Sequence, residues 1–214
     1  MFSGLSKLIL RIWGFKIKGW DPHQLDKYVV IAMPHTSNWD FLLGLSVRSA
    51  MKLHHIKYVG KSSLFRFPYG AIFRWLGGYP VDRSRSSNMV DSIVKVFEHE
   101  EKFGVTIAPE GTRGKVDKLK TGFYYIALGA NVPIVMIRMD FGTKTVTWSP
   151  PLYPTGDIDA DMHQIEDFYR GARGRNPENG FLYENCPIGD LSLLRPPLLL
   201  NLSAFLWSPR MFSS

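Results

Sequence analysis

Short β-branched runs alternate with amphipathic helical stretches along most of this chain. That alternation restricts it to a layered α/β architecture with a mostly parallel or mixed sheet. Tyr28-Val29-Val30-Ile31-Ala32 is the first clear strand, closed by Pro34, and Thr36, Ser37 and Asn38 all suit the N-cap of the helix that follows. In that helix Phe41, Leu42, Leu45 and Ser49 are expected to share a face, with Gly44 as the one interruption before Leu53. Residues 56–60 read as a second strand and residues 67–76 as a short helix after Pro68. Residues 79–83 form a brief extended segment whose Pro80 suits a sheet edge. A helix over 89–102, stopped by Gly104, leads into a strand over 104–108. A helix over 121–128 closed by Gly129, strands over 132–137 and 144–148, and a last helix over 157–170 complete the pattern. Met162, Ile165, Phe168 and Tyr169 are the expected inner positions of that last helix.

Two of the connecting loops carry chemistry. The first is Met33-Pro34-His35-Thr36-Ser37-Asn38-Trp39-Asp40. Residues five apart on a continuous helix diverge, at roughly 100° per residue, so His35 meets Asp40 only if the cap-rich turn folds the imidazole back. A carboxylate held on one ring nitrogen fixes the tautomer and raises basicity, leaving the other nitrogen to take a proton from a hydroxyl or amine. Taken alone, the pair also reads as a satisfied loop histidine beside an aspartate that favours the helix dipole. No second His or Cys lies at metal-ligand spacing around it.

The second loop is Pro109-Glu110-Gly111-Thr112-Arg113-Gly114. Its glycines allow close backbone approach to a ligand, Thr112 offers a hydroxyl, and Arg113 offers a planar fork suited to phosphate oxygens. The order of a Walker loop is absent, and by itself the segment is equally a glycine-containing turn with a surface ion pair. Lys61, just beyond the second strand, is placed either for a phosphate or carboxylate or as a solvated surface lysine.

With 214 residues, 45% hydrophobic and 21% charged, the chain has enough apolar material for one domain with a real core. Twenty-six Lys and Arg against 19 Asp and Glu give a net charge of +7, which suits an anionic partner. The basic residues are scattered and form no basic-aromatic recognition motif, so no nucleic-acid partner is expected. A single cysteine, Cys186, excludes an intramolecular disulfide and a multi-cysteine metal site. No apolar stretch reaches the roughly 18 to 20 residues of a spanning helix.

Leu5, Leu8, Ile9, Ile12 and Trp13 fall at helical spacing opposite Lys7 and Arg11. This amphipathic start either lies flat on a membrane or packs on the core. Its interrupting charges and the absence of a small-residue cleavage site argue against a signal peptide. The expected organisation is an N-terminal amphipathic segment at 1–27, a domain at 28–175 and a tail at 176–214. The tail begins in a turn-rich boundary and is rich in Leu, yet broken by Pro196 and Pro197; it docks on the domain, touches membrane or stays disordered.

Four motifs in order resemble the lysophospholipid acyltransferase family, the group of 1-acylglycerol-3-phosphate acyltransferases. They are His35 and Asp40 with four residues between, Gly78-Tyr79-Pro80-Val81-Asp82-Arg83, Pro109-Glu110-Gly111-Thr112-Arg113, and Val132-Pro133-Ile134-Val135. Lys61 falls where the family often has a basic residue. Ala108 stands where an aromatic residue is more usual, and Pro80 replaces an apolar one. Both departures bear on acceptor choice.

The resemblance implies a single-domain, glycerolipid acyltransferase-like α/β sandwich, with a mixed, mostly parallel sheet flanked by helices. It implies transfer of an acyl chain from acyl-CoA or acyl-carrier protein to the hydroxyl of a lysophospholipid such as 1-acylglycerol-3-phosphate. His35 would act as general base and Asp40 would orient it. Lys61, Arg83 and Arg113 would hold the acceptor phosphate, Gly111 and Thr112 would shape that pocket, and Glu110 would belong to the acceptor site or its scaffold. No metal or cofactor is called for, and Cys186 should be dispensable because no acyl-enzyme is expected. The implied location is peripheral, on the cytoplasmic face of an anionic membrane. A non-catalytic lipid-binding adaptor on the same fold, or an acyltransferase using an amino-acid-based lysolipid, are the alternatives.

Overall fold

The computed structural model describes residues 3–81 and 86–181. Among these residues seven strands form one sheet: β1 (Lys16–Gly19), β2 (Lys27–Met33), β3 (Ile56–Lys61), β4 (Gly78–Val81), β5 (Phe103–Ile107), β6 (Ile134–Asp140) and β7 (Thr145–Trp148). Their spatial order is β1-β7-β6-β2-β5-β3-β4, and every neighbouring pair is parallel except β6 with β7. The α/β sandwich with a mixed, mostly parallel sheet is therefore as expected. Pro80 lies in β4, an edge strand, where its missing N–H removes no central ladder bond.

Among the described residues the α-helices are α1 (Ser3–Trp13), α2 (Asn38–Ala50), α3 (Gly70–Trp75), α4 (Ser86–His99), α5 (Gly122–Ala130) and α6 (Ile158–Tyr169). Side chains alternate across β2, so Tyr28 and Val30 face one layer while Val29 and Ile31 face the other, all fully buried. On the first side α1 and α2 pack together, and Leu10, Leu43, Val47 and Ala50 join Val30, Val135, Val146 and Trp148 in one core cluster. On the second side α5 packs on β2, α6 on β6 and α4 on α5.

Several local expectations are corrected. The strand β1, absent from the sequence reading, continues the sheet into the N-terminal segment through its pairing with β7. In α2 the buried face is Leu43, Ser46, Val47 and Ala50, whereas Leu42 is exposed and Ser49 only half-buried, because α1 and the sheet cover a different stripe. The helix α4 starts at Ser86 and ends at His99, so Ser86 to Asn88 lie inside it. Gly104 belongs to β5, where it lets Ile56 of β3 close in: a Cβ there would sit 3.1 Å from Ile56 Cγ1. The residue closing α5 is Asn131, left-handed at φ 51°, while Gly129 is helical and gives Val94 of α4 room. Gly70, not Phe67, opens α3.

A candidate active site at the ends of β2 and β5

The carboxyl ends of β2 and β5 lie side by side, with Ile31 paired to Ile107, so the two chemical loops emerge as neighbours. Such ends are where parallel sheets place their ligands. Ser37 is the N-cap of α2; its hydroxyl accepts from Trp39 N–H at 2.9 Å. Asp40, three residues on, closes a capping box and does more: its Oδ2 accepts from Ser37 N–H at 2.7 Å and from Thr36 N–H at 2.6 Å. These two bonds fold the turn back. They bring His35 Nδ1 to 3.6 Å from the same oxygen, within ion-pair range though longer than a hydrogen bond.

Glu110 holds the turn from the other loop. Its Oε2 accepts from the backbone N–H of His35 at 2.7 Å, tying residues 75 apart in sequence. Glu110 is 3% exposed and Asp40 1%, so two carboxyl groups stand buried behind one imidazole. Burial raises the Glu110 carboxyl from 4.5 to about 7; the His35 N–H opposes that shift and the nearby charge of Asp40 adds to it. Burial also raises Asp40, against the pull of the Ser37 and Thr36 N–H groups and of the Arg113 charge. Among the described residues, Asp40 Oδ1 and Glu110 Oε1 have no hydrogen-bond partner.

The rest of the second loop is arranged around Gly111, whose φ of +67° favours glycine. A Cβ there would sit 2.7 Å from Lys120 Nζ, because Lys120 folds back over the loop and donates its backbone N–H to Pro109 O at 2.8 Å. Thr112 and Arg113 are exposed, and the Thr112 hydroxyl accepts from Gly114 N–H at 3.4 Å.

From His35 and Asp40 an apolar cavity of about 160 Å³ runs between α2 and the sheet, lined by Phe41, Leu45, Tyr58, Ala108, Met139 and Trp148 among others. A void of this order takes a benzene-sized molecule, so it seats a segment of an alkyl chain. Ala108 forms part of the wall next to the His35 turn, where an aromatic side chain would fill the space. Gly44 also lines the cavity, and a Cβ there would meet nothing within 4 Å.

The structure thus brings together His35, Asp40 and Glu110, and places Gly111, Thr112 and Arg113 on the adjoining loop. Arg83 and the side chain of Lys61 lie outside the described residues. Two participants escaped the sequence reading. Lys120 belongs to no motif in the sequence, yet its side chain lies against Gly111. Asn176 was read as a boundary, yet its backbone N–H donates to Thr36 Oγ1 at 3.1 Å and its Nδ2 to Thr36 O at 3.3 Å, clamping the turn from behind. No three His, Cys, Asp or Glu side chains converge as a metal site among the described residues.

A carboxylate-backed imidazole at the mouth of an apolar cavity, beside a basic loop, suits proton abstraction from a hydroxyl next to a bound acyl chain. The crystal structure of the 1-acyl-sn-glycerophosphate (LPA) acyltransferase PlsC from Thermotoga maritima shares the fold. The TM-score is 0.54 at 19% sequence identity, over 79% of this chain and 76% of that one. No curated protein matches the sequence. The model of the Acyltransferase family matches residues 14–140, more than half of the 214-residue chain. The chain belongs to the acyltransferase family.

Proposed function

We propose that this protein moves a fatty acyl chain from a thioester, acyl-CoA or acyl-carrier protein, to the free hydroxyl of a lysophospholipid, with 1-acylglycerol-3-phosphate the first acceptor to test. The observation that carries the reading is His35, held between Asp40 and Glu110 at the mouth of the apolar cavity. With Asp40 on the Nδ1 side, Nε2 takes the acceptor proton as the oxygen attacks the thioester carbonyl. The tetrahedral intermediate collapses, the carbon–sulfur bond breaks and the imidazolium returns the proton to the departing thiolate. Arg113, together with Lys61 and Arg83 and with Gly111 and Thr112 shaping the loop, holds the acceptor's phosphate. The Cys186 side chain takes no part. Incubating the purified protein with acyl-CoA, acyl-carrier protein and a panel of lysolipids, followed by lipid mass spectrometry, tests this. A diacyl product names the acceptor, and bound lipid without product would instead support a lipid-binding adaptor.

The cavity sets the acyl chain. Ala108→Phe places a ring in the wall beside the turn, so it is expected to shift the preferred donor toward shorter chains. The competition between long- and short-chain acyl thioesters should move by about tenfold, the range a few buried methylenes supply. An unchanged preference would place the chain elsewhere.

The same reading puts the protein peripherally on the cytoplasmic face of a membrane. Leu5, Leu8 and Ile12 of α1 are exposed, as are Trp39 and Leu42 of α2, and Trp13 meets Trp39 edge-on at 5.6 Å. Those contacts run an outward apolar face up to the catalytic turn. No described helix is long and apolar enough to cross a membrane. The +7 net charge favours an anionic leaflet. Leu8→Glu with Ile12→Glu is expected to abolish sedimentation with anionic vesicles while leaving the thermal midpoint unchanged, since both side chains are already exposed.

A further inference from the structure

Direct transfer needs two anionic substrates bound at once, and the acidic groups behind His35 belong to neither. The sheet order gives the turn two flanks, β5 on one side of β2 and β6 on the other. The β5 flank carries the Gly111–Arg113 loop assigned above to the acceptor. The β6 flank is crossed by residues 170–176, Arg-Gly-Ala-Arg-Gly-Arg-Asn, which lie beyond the family match at 14–140.

This segment is firmly seated. Arg173 O accepts from Phe141 N–H at 2.8 Å at the end of β6, and Asn176 holds Thr36 through the two bonds described above. Gly174 is buried so closely against the turn that a Cβ would lie 2.5 Å from Thr36 Oγ1. On either side of that glycine, Arg173 and Arg175 are exposed. Neighbouring cations are neutralised: Arg138 lies 3.6 Å from Asp140 and Arg170 2.5 Å from Asp167. Arg173 and Arg175 form no such ion pair among the described residues.

We propose that Arg173 and Arg175 form the binding site for the phosphate groups of a coenzyme A thioester, making the β6 flank of His35 the donor side. The proposal rests on the acyl-transfer reading and gives it a donor class. Guanidinium forks pair bidentately with phosphate oxygens, which favours a compact polyphosphate over the dispersed carboxylates of an acidic carrier protein. The extended pantetheine arm separates the thioester from the phosphates, so their contacts belong on the rim one side chain beyond the turn, where these arginines stand.

The test uses the full chain and its Arg173→Gln/Arg175→Gln variant. Adenosine 3′,5′-diphosphate, which carries phosphates but no acyl group, is titrated calorimetrically. It is expected to bind the parent and to bind the double variant at least about tenfold more weakly, from two lost charge-assisted contacts. In parallel, the preference for acyl-CoA over an acyl-N-acetylcysteamine thioester, which lacks the phosphates, is expected to fall by at least about tenfold. The KM for the lysolipid should not change. No binding of the diphosphate by the parent, or equal binding by both proteins, overturns the proposal. So does an equal loss with both donors, which would mark a purely structural segment. Diphosphate binding lost in the variant, with no acyl transfer by the parent to any lysolipid, would uphold this site while removing the acceptor reading.

Discussion

Alanine at position 35 is expected to slow acyl transfer by about 10²- to 10⁴-fold, the usual worth of a positioned general base, with the fold intact. The second half of that expectation follows from which atoms hold the turn. Glu110 is bonded to the backbone N–H of His35, and Asp40 to those of Thr36 and Ser37, and alanine keeps all three donors. Single-turnover formation of diacyl product, followed by mass spectrometry beside a thermal melt, separates the two effects. A rate within a few-fold of the parent would move the base to another residue. Asp40→Ala is the instructive contrast. It takes the acceptor from two buried N–H groups, each about 1–3 kcal/mol when left unsatisfied, so stability and activity should fall together. His35 tests chemistry; Asp40 tests chemistry and scaffold at once.

That double duty explains why the pair could be read from sequence while its neighbours could not. The turn was legible because its elements are local: a β-branched strand, a proline, cap residues and an aspartate at the third helical position. The Glu110 bond to His35 is invisible to any local pattern, since strand order alone makes those loops adjacent. The same holds for Asn176 and Thr36, 140 residues apart. Lys120 is hidden for another reason: the missing Cβ of Gly111 lets a lysine nine residues on lie where a side chain would be, and no spacing rule encodes that.

The fold shows the same division. Long apolar strands such as β2 and β6 announce themselves, whereas β1 offers only Lys-Ile-Lys-Gly, one apolar residue between two lysines, and is recruited by β7. In α2, apolar residues are spread around the helix, so several stripes satisfy helical spacing and only packing selects one. The stripe formed by Leu43, Val47 and Ala50 faces inward. Phe41 and Leu45 are left over for the cavity. A residue that looks like core by periodicity thus lines a cavity instead.

Glu110→Gln is expected to make the protein more stable and less active, and the stability gain should depend on pH in a definite direction. The Glu110 carboxyl titrates near 7 in the folded chain against an ordinary 4.5. Between those values the folded protein keeps a proton that the unfolded chain has released, so stability falls as pH rises through the interval. Above it the full cost applies, about 3 kcal/mol at 1.36 kcal/mol per unit. Glutamine can still accept from His35 N–H but carries no charge to bury. Its advantage in urea unfolding should therefore reach about 1–3 kcal/mol at pH 8 and shrink by about 2 kcal/mol at pH 5. Asp40, whose carboxyl is also raised by burial, leaves a residual slope of the same sign in both proteins. Acyl transfer should drop by about fivefold to tenfold, because a charge-assisted bond to the His35 backbone becomes a neutral one of roughly half the strength. An equal stability gap at both pH values would show that Glu110 titrates alike in the folded and unfolded chains, and would remove it as the buried acid behind the turn. The predicted combination, stability gained and turnover lost at one position, is what a carboxylate kept for function at a cost to the fold should produce.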